Sequence, residues 1–319
     1  MEETSAGEKT AASRAEEVPW NVGGIEEEEL KALQKASRIS KRIIKFAREV
    51  ADKEKSLLRM ADLIEGKVKE EGGECAFPAN LSLADEAAHY TPQADDPALA
   101  GEKGLLKVDL GVSVGGFCTD FAFTKDYSHE NGKMVDAVEE ALQNALSMMK
   151  AGTQTSAVGK EIERTIKGYG FTPIENLCGH SLGQYDLHAG VEIPNVETKG
   201  GYELQEGDVF AVEPFASTGE GRVAEGEYCQ IYALAGEKTA VRLPRSRELV
   251  AKIAEDRLTL PFAARWYKDF PMLNLSLLDL VKNGALEEFP VLKEARKGAL
   301  VSQAETCVII EKDSVKVLV

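Results

Sequence analysis

The stretch LLKVDLGVSVGGFCTDFAFT, residues 105–124, sets two β-rich runs on either side of the Gly115-Gly116 pair. β-Branched and aromatic residues suit a pleated surface, and two adjacent glycines supply the positive φ angles of a tight reversal, so the stretch predicts a β-hairpin. Each run carries one aspartate in apolar company: Asp109 between Val108 and Leu110, and Asp120 before Phe121. Burying one unpaired carboxylate is costly. Burying two on neighbouring strands is worse unless a cation lies between them. Taken alone, the pair has a commoner reading, since Asp often serves turns and Gly111 and Gly115-Gly116 offer bends. Three more residues shift the balance. His180 lies in the Gly-flanked loop GHSLGQYDLHAG (179–190), Glu213 in the apolar strand VFAVEPF (209–215) and Glu305 in the terminal strand of QAETCVII (303–310). Four carboxylates and one imidazole form a hard, oxygen-rich set. Such a set suits divalent Co, Mn, Fe or Zn rather than a cysteine-rich structural zinc site.

Around this hairpin the chain divides by texture. Residues 1–24 are rich in Glu, Ala, Ser, Thr and Gly and poor in large apolar residues, which predicts a disordered acidic tail. From Ile25 to about Lys69, Leu30, Leu33, Ala36, Ile39, Ile43, Ala47, Val50, Leu57, Ala61 and Ile64 recur at helical spacing, with a break near Asp52 to Lys55. Helices are predicted at about 133–149 and 156–167, and strands at FTPI, VEIPN and DVFAVEPF. A segment at about 244–294 interrupts the pattern with helical patches at 246–258, 262–268 and 275–283. A terminal strand pair follows in VSQAETCVIIEKDSVKVLV. Both halves show helices and then a hairpin, an α+β arrangement.

With 319 residues, 43% of them hydrophobic, the chain can bury a sizeable core without staples. Its net charge of −16 argues against nonspecific binding to nucleic acid or to an anionic membrane. Cys75, Cys118, Cys178, Cys229 and Cys307 are odd in number and scattered, with no CxxC pair, and read as reduced thiols of a cytoplasmic protein. No apolar run approaches the roughly 18 residues of a membrane span, and the N-terminus has neither the basic nor the apolar region of a secretory signal.

The order Asp109, Asp120, His180, Glu213, Glu305, on the motifs KVDLG, FCTDFAFT, CGHSLGQYDLHAG, AVEPFASTGEG and QAETCVII, resembles the dimetal site of the pita-bread metallopeptidases (the creatinase/aminopeptidase fold). The 244–294 insertion, the words RLPRSRELV and TLPFAARW, and AFPANLSLADEAAHYTP resemble the type II methionine aminopeptidases, in a short form similar to the archaeal members. The resemblance spans about residues 27–319. It implies a fold of two pseudo-twofold halves with an inserted helical subdomain at 244–294, the whole of 25–319 forming the catalytic domain. Two departures stand out: the last ligand lies in AETC where many relatives have FEHT, and Cys178 replaces the Asn or Ser that precedes the Gly-His pair.

By position, the resemblance implies two divalent metal ions (Co, Mn, Fe or Zn). Asp109 would hold one, Asp120 and Glu305 would bridge both, and His180 and Glu213 would complete the ligand shell of the other. Two such ions about 3.5 to 4 Å apart bring a water toward neutral pKa and seat a free α-amine. Glu213 would shuttle a proton, His188 would stabilise the substrate carbonyl, and His89 would contact the scissile amide. Phe77, Leu187 and Ile231 would form the methionine pocket. His129, in the turn-like DYSHENG, receives no role. The implied activity is a metallo-exopeptidase that removes initiator methionine from nascent polypeptide N-termini, preferentially before a small second residue. A monomer with transient ribosome contact, and with no nucleic-acid or membrane partner, is expected. Two rivals share the fold. A proline-specific aminopeptidase or dipeptidase usually carries a large N-terminal domain and lacks the insertion. A non-catalytic RNA- or protein-binding relative would show loss of ligands.

Overall fold

In the computed structural model, which describes residues 23–101, 104–235 and 241–319, the central hairpin pairs strands Leu105–Val114 and Phe117–Asp126 along their whole length. Gly115 (φ 60°) and Gly116 (φ 85°) close it with two consecutive positive φ angles, the backbone of a two-residue turn that matches strand twist. In this register Asp109 pairs with Ala122 and Gly111 with Asp120. Side chains alternate along a strand and directly paired residues share a face, so both aspartates project from the same face as diagonal neighbours. Val108, Leu110 and Phe121 project from the other.

That other face meets helix α1 (Glu27–Lys53) and helix α2 (Leu57–Glu70). The predicted break between them falls at Glu54 to Ser56, where Ser56 Oγ accepts from the Arg59 amide at 3.3 Å and caps α2. Ile39, Ile43, Leu57 and Met60 bury against Leu106, Val108 and Phe121. Truncating the fully buried Ile43 to Ala would cost about 2–5 kcal/mol. Strands Glu74–Cys75 and Asn80–Leu83 flank Leu105–Val114, with Asn80 paired to Asp109.

The second half repeats the plan. Helices α3 (Gly132–Met148) and α4 (Thr155–Gly168) share a core with a five-stranded sheet. Its strand order is Val315–Val317, Thr306–Ile310, Val209–Val212, Cys178–Ser181, Glu192–Pro194. Val138, Leu142, Ile162 and Ile166 pack on Phe210, Val212, Val308 and Ile310. An isolated bridge between Ala122 and Glu305 stitches the two halves together.

Helices α5 (Pro244–Arg257) and α6 (Leu273–Lys282) form a separate core from Leu249, Ile253, Phe262, Leu277 and Leu280. Two expectations need correction here. The 262–268 patch is a short strand, Phe262–Ala263, followed by a 3-10 turn, Ala264–Tyr267. After the helical patches the 244–294 segment closes on a strand, Leu286–Glu294, paired with Val223–Leu234. Pro290, which cannot donate to a ladder, sits where that register shifts. The terminal strand pair is three strands, Val301–Gln303, Thr306–Ile310 and Val315–Val317. Of the expected 1–24 tail, residues 1–22 lie outside the described residues. Gly24 (φ 81°) packs so closely on the body that a Cβ there would lie 2.3 Å from the Glu206 carbonyl oxygen. All five cysteines are free.

Candidate metal centre

Each candidate side chain is held by a different local device. Asp109 and Asp120 stand on the inner face of the hairpin. His180, expected in a loop, lies within strand Cys178–Ser181 opposite Ala211. Glu213 occupies the break between Val209–Val212 and Phe215–Ser217. Glu305 immediately precedes Thr306–Ile310, and its backbone is tied to Ala122. His89 has a left-handed backbone (φ 66°), and its ring nitrogen Nδ1 is held at the Pro290 carbonyl. Leu187 and His188 follow the tight Gly183–Asp186 turn, where the His188 amide donates to Asp186 Oδ1 at 3.1 Å.

These devices converge. Asp109, Asp120, His180, Glu213, Glu305, His89, His188, Phe77, Leu187 and Ile231 all line one cavity of about 200 Å³. His129 lies outside it. The carboxylates crowd at one end; Phe77, Leu187, Ile231, Phe289 and Leu292 give the remainder an apolar wall.

Among the described residues lining the cavity there is no Lys or Arg. Four carboxylates, Asp120 and Glu305 buried and Asp109 and Glu213 nearly so, therefore face one another without a cationic side chain, and their protonation behaviour reflects it. Burial raises Asp109 to about 7, against the pull of hydrogen bonds from Gln303 and Asn80. Burial and the Asp109 charge push Asp120 well above the usual carboxylate range. Burial also raises Glu213 and Glu305, with further increments from their acidic neighbours. Conversely, burial holds His180 down at about 3 and His89 at about 4, and it lowers His188, so all three imidazoles are neutral at pH 7.

The donor set fits a divalent cation. His180 Nε2 stands 3.7 Å from Asp120 Oδ2 and 3.6 Å from Glu213 Oε1, too far for direct hydrogen bonds. Ligand atoms of Asp120, His180 and Glu305 all lie within 4.8 Å of one another. Asp109 Oδ1 and Asp120 Oδ1 are buried with no hydrogen-bond partner among the described residues. Buried carboxylate oxygens without hydrogen-bond donors are suited to direct contact with a cation.

The structure adds residues to the sequence reading. Gln303 Nε2 donates to Glu305 Oε2 at 3.2 Å and reaches Asp109 Oδ2 at 3.5 Å. Asn80, cross-strand from Asp109, lines the same cavity. His89 Nδ1 lies 3.3 Å from the Pro290 carbonyl, which fixes the ring edge-on to Phe289. The rings of His180 and His188 are 4.4 Å apart.

A pita-bread architecture around a carboxylate-rich metal centre is that of a metallopeptidase. The chain belongs to metallopeptidase family M24, which it matches over residues 31–246. It is 45% identical over 289 residues to a methionine aminopeptidase of Pyrococcus horikoshii, covering 89% of this chain and 97% of that one. A methionine aminopeptidase of Methanothermobacter thermautotrophicus is 37% identical over 290 residues, with 89% and 96% covered. Among solved structures, the fold is shared with a thermophilic Arx1 at a TM-score of 0.79 and 18% identity, covering 92% of this chain and 91% of that one. It is also shared with the Thermotoga maritima methionine aminopeptidase at a TM-score of 0.66 and 20% identity, covering 93% and 99%.

Proposed function

We propose that the ten cavity residues are the working centre of an aminopeptidase that removes N-terminal methionine from polypeptides. The carrying observation is the meeting of four largely buried carboxylates, the neutral His180, His188 and His89, and an apolar wall in one cavity that no Lys or Arg lines among the described residues. The archaeal methionine aminopeptidases, similar over nearly their whole length, support the same reading. The Arx1 likeness speaks only for the fold. A binding protein without metal chemistry has no need of four clustered, largely buried carboxylates, whose charge is costly to bury.

Asp109, Asp120, His180, Glu213 and Glu305 would hold two divalent ions of the Co, Mn, Fe or Zn kind. When bound, such ions supply Lewis-acid polarisation of the carbonyl, water activation and a seat for the free α-amine. The protein's own groups do the rest. Glu213, which burial and the neighbouring carboxylates make more basic than an ordinary Glu, takes up a proton and passes it to the leaving amine. His188, neutral at the cavity mouth, donates to the carbonyl oxygen as negative charge develops there. If the His89 Nδ1 proton is spent on Pro290, Nε2 remains an acceptor for the scissile amide N–H. Phe77, Leu187 and Ile231 offer the methionine side chain an unbranched apolar slot.

Residues 25–319 would act as one catalytic domain, with 244–294 inserted into it. A cytoplasmic monomer meeting nascent chains at the ribosome is the setting that follows from the substrate. The test is to assay metal-loaded protein on Met-Ala-Ser and Ala-Pro-type peptides side by side. Preference for Met-Ala-Ser is expected; preference for the proline peptide would transfer the site to a proline-specific peptidase.

A further inference from the structure

The residues leaving α5, RLTLP at 257–261, are fastened to both walls of the apolar end of the cavity. Arg257, 9% exposed, donates from Nη2 to the carbonyls of Cys75 (2.7 Å), Ala76 (3.1 Å) and Pro261 (2.9 Å). Ala76 immediately precedes Phe77, one wall. Thr259 Oγ1 donates to the Tyr185 carbonyl, two residues before Leu187, the other wall, and three before His188. Leu260, 1% exposed, packs in a single cluster with Ala76, Phe77 and Leu187, and so touches the apolar group to which both walls belong.

Two further observations show that this segment is built to hold a fixed shape. Leu258 adopts φ 53° and ψ −114°, a conformation that a non-glycine residue keeps only when its surroundings impose it, and bonds from Arg257 and Thr259 flank it. The loop it grips has a second anchor on the hairpin turn. The Tyr185 amide donates to the Gly116 carbonyl at 2.8 Å, and its ring lies where a Cβ on Gly116 would come within 2.4 Å.

We propose that residues 257–261 are a positioning strap: Arg257, Thr259 and Leu260 fix the separation of Phe77 and Leu187 and so decide which N-terminal side chain the cavity admits. This gives the inserted segment a task in the reaction, since its first helix ends on the strap. The proposal uses the aminopeptidase reading only to name the side chain admitted. Arg257, Thr259 and Leu260 act through other residues and touch no reacting atom.

Two measurements test it. Thr259→Val removes the hydroxyl donor at nearly constant shape on an exposed residue, and Thr259→Ser restores it. Hydrogen exchange at the Tyr185 amide should accelerate by about tenfold or more in Thr259→Val, with α3 and α4 amides unchanged and Thr259→Ser like the parent. Unchanged exchange at Tyr185 would overturn the strap. Leu260→Ala, in turn, should lower the ratio of kcat/KM on Met-Ala-Ser to that on Leu-Ala-Ser by about tenfold, chiefly through KM, with metal content unchanged. An equal loss on both peptides, in proportion to folded protein, would also overturn it. Should the parent cleave neither peptide, the functional reading fails and the exchange measurement still decides the strap.

Discussion

Ala122 and Glu305 exchange both backbone hydrogen bonds, at 3.2 and 3.1 Å, although they belong to opposite halves of the molecule. Paired residues in an antiparallel bridge present their side chains to one face, so Glu305 joins the face that carries Asp120 and Asp109. The carboxylate cluster therefore exists only while the halves are docked, and whatever neutralises it holds them together.

Divalent cations should consequently raise thermal stability, and more so at high pH. Asp109 in the folded protein titrates near 7, above its ordinary value of 3.8. Without a cation, the stability linked to this group is full below about pH 4 and is lost as pH rises through about 7. A cation requires the ionised form and reverses the trend. The rise in Tm on adding Mn to chelator-treated protein should thus be larger at pH 8 than at pH 5. Equal rises at both would mean that the ion binds elsewhere.

Glu305→Ala should abolish peptide hydrolysis and remove at least one metal ion per chain by elemental analysis. Glu305 is buried, and its loss leaves three carboxylates and His180 to hold the charge. Normal turnover with full metal content would assign Glu305 a merely structural place at the end of its strand.

Of the ten residues that share the cavity, Asp109, Asp120, His180, Glu213 and Glu305 are legible in their own runs, as carboxylates amid apolar neighbours and a Gly-flanked histidine, whereas His89, His188, Phe77, Leu187 and Ile231 are legible only through the resemblance of their motifs. Gln303 and Asn80 were not legible. Gln303 is two residues before Glu305, and Asn80 is in contact only because its strand pairs with that of Asp109, a register no single run discloses. The 262–268 error has a related cause. An apolar and aromatic stretch this short fits several periods, and pairing with Ile231 and Tyr232 drew Phe262–Ala263 into a strand.

Gln303 offers a sharper test of how the ligands are held. Its Nε2 serves both Asp109 and Glu305, so Gln303→Leu would leave Glu305 without this amide donor and Asp109 with Asn80 alone. Metal affinity should fall by about 10- to 100-fold, the usual effect of losing a partner that orients a ligand. Titration with Mn followed by calorimetry measures this directly, and an unchanged Kd would show the amide to be incidental.

His188 and His89 separate the chemical from the structural reading. Among the described residues no side-chain hydrogen bond holds the His188 ring, which rests 4.4 Å from that of His180, whereas His89 is tied to Pro290. If His188 donates chiefly to the oxygen that becomes negative in the transition state, His188→Ala should reduce kcat by about 100-fold or more and change KM far less. His89→Ala should also slow turnover, and because His89 is packed against Phe289 it should lower Tm modestly as well. Neither is one of the five proposed ligands, so metal content should match the parent in both. Burial holds His89 down at about 4 and lowers His188, so both are neutral at pH 7 and above, and the pH profile of the remaining activity should keep its shape there. Histidines that only pack would give the reverse: a fall in Tm with activity in proportion to the folded fraction, and that pattern in either variant would remove the residue from the chemistry.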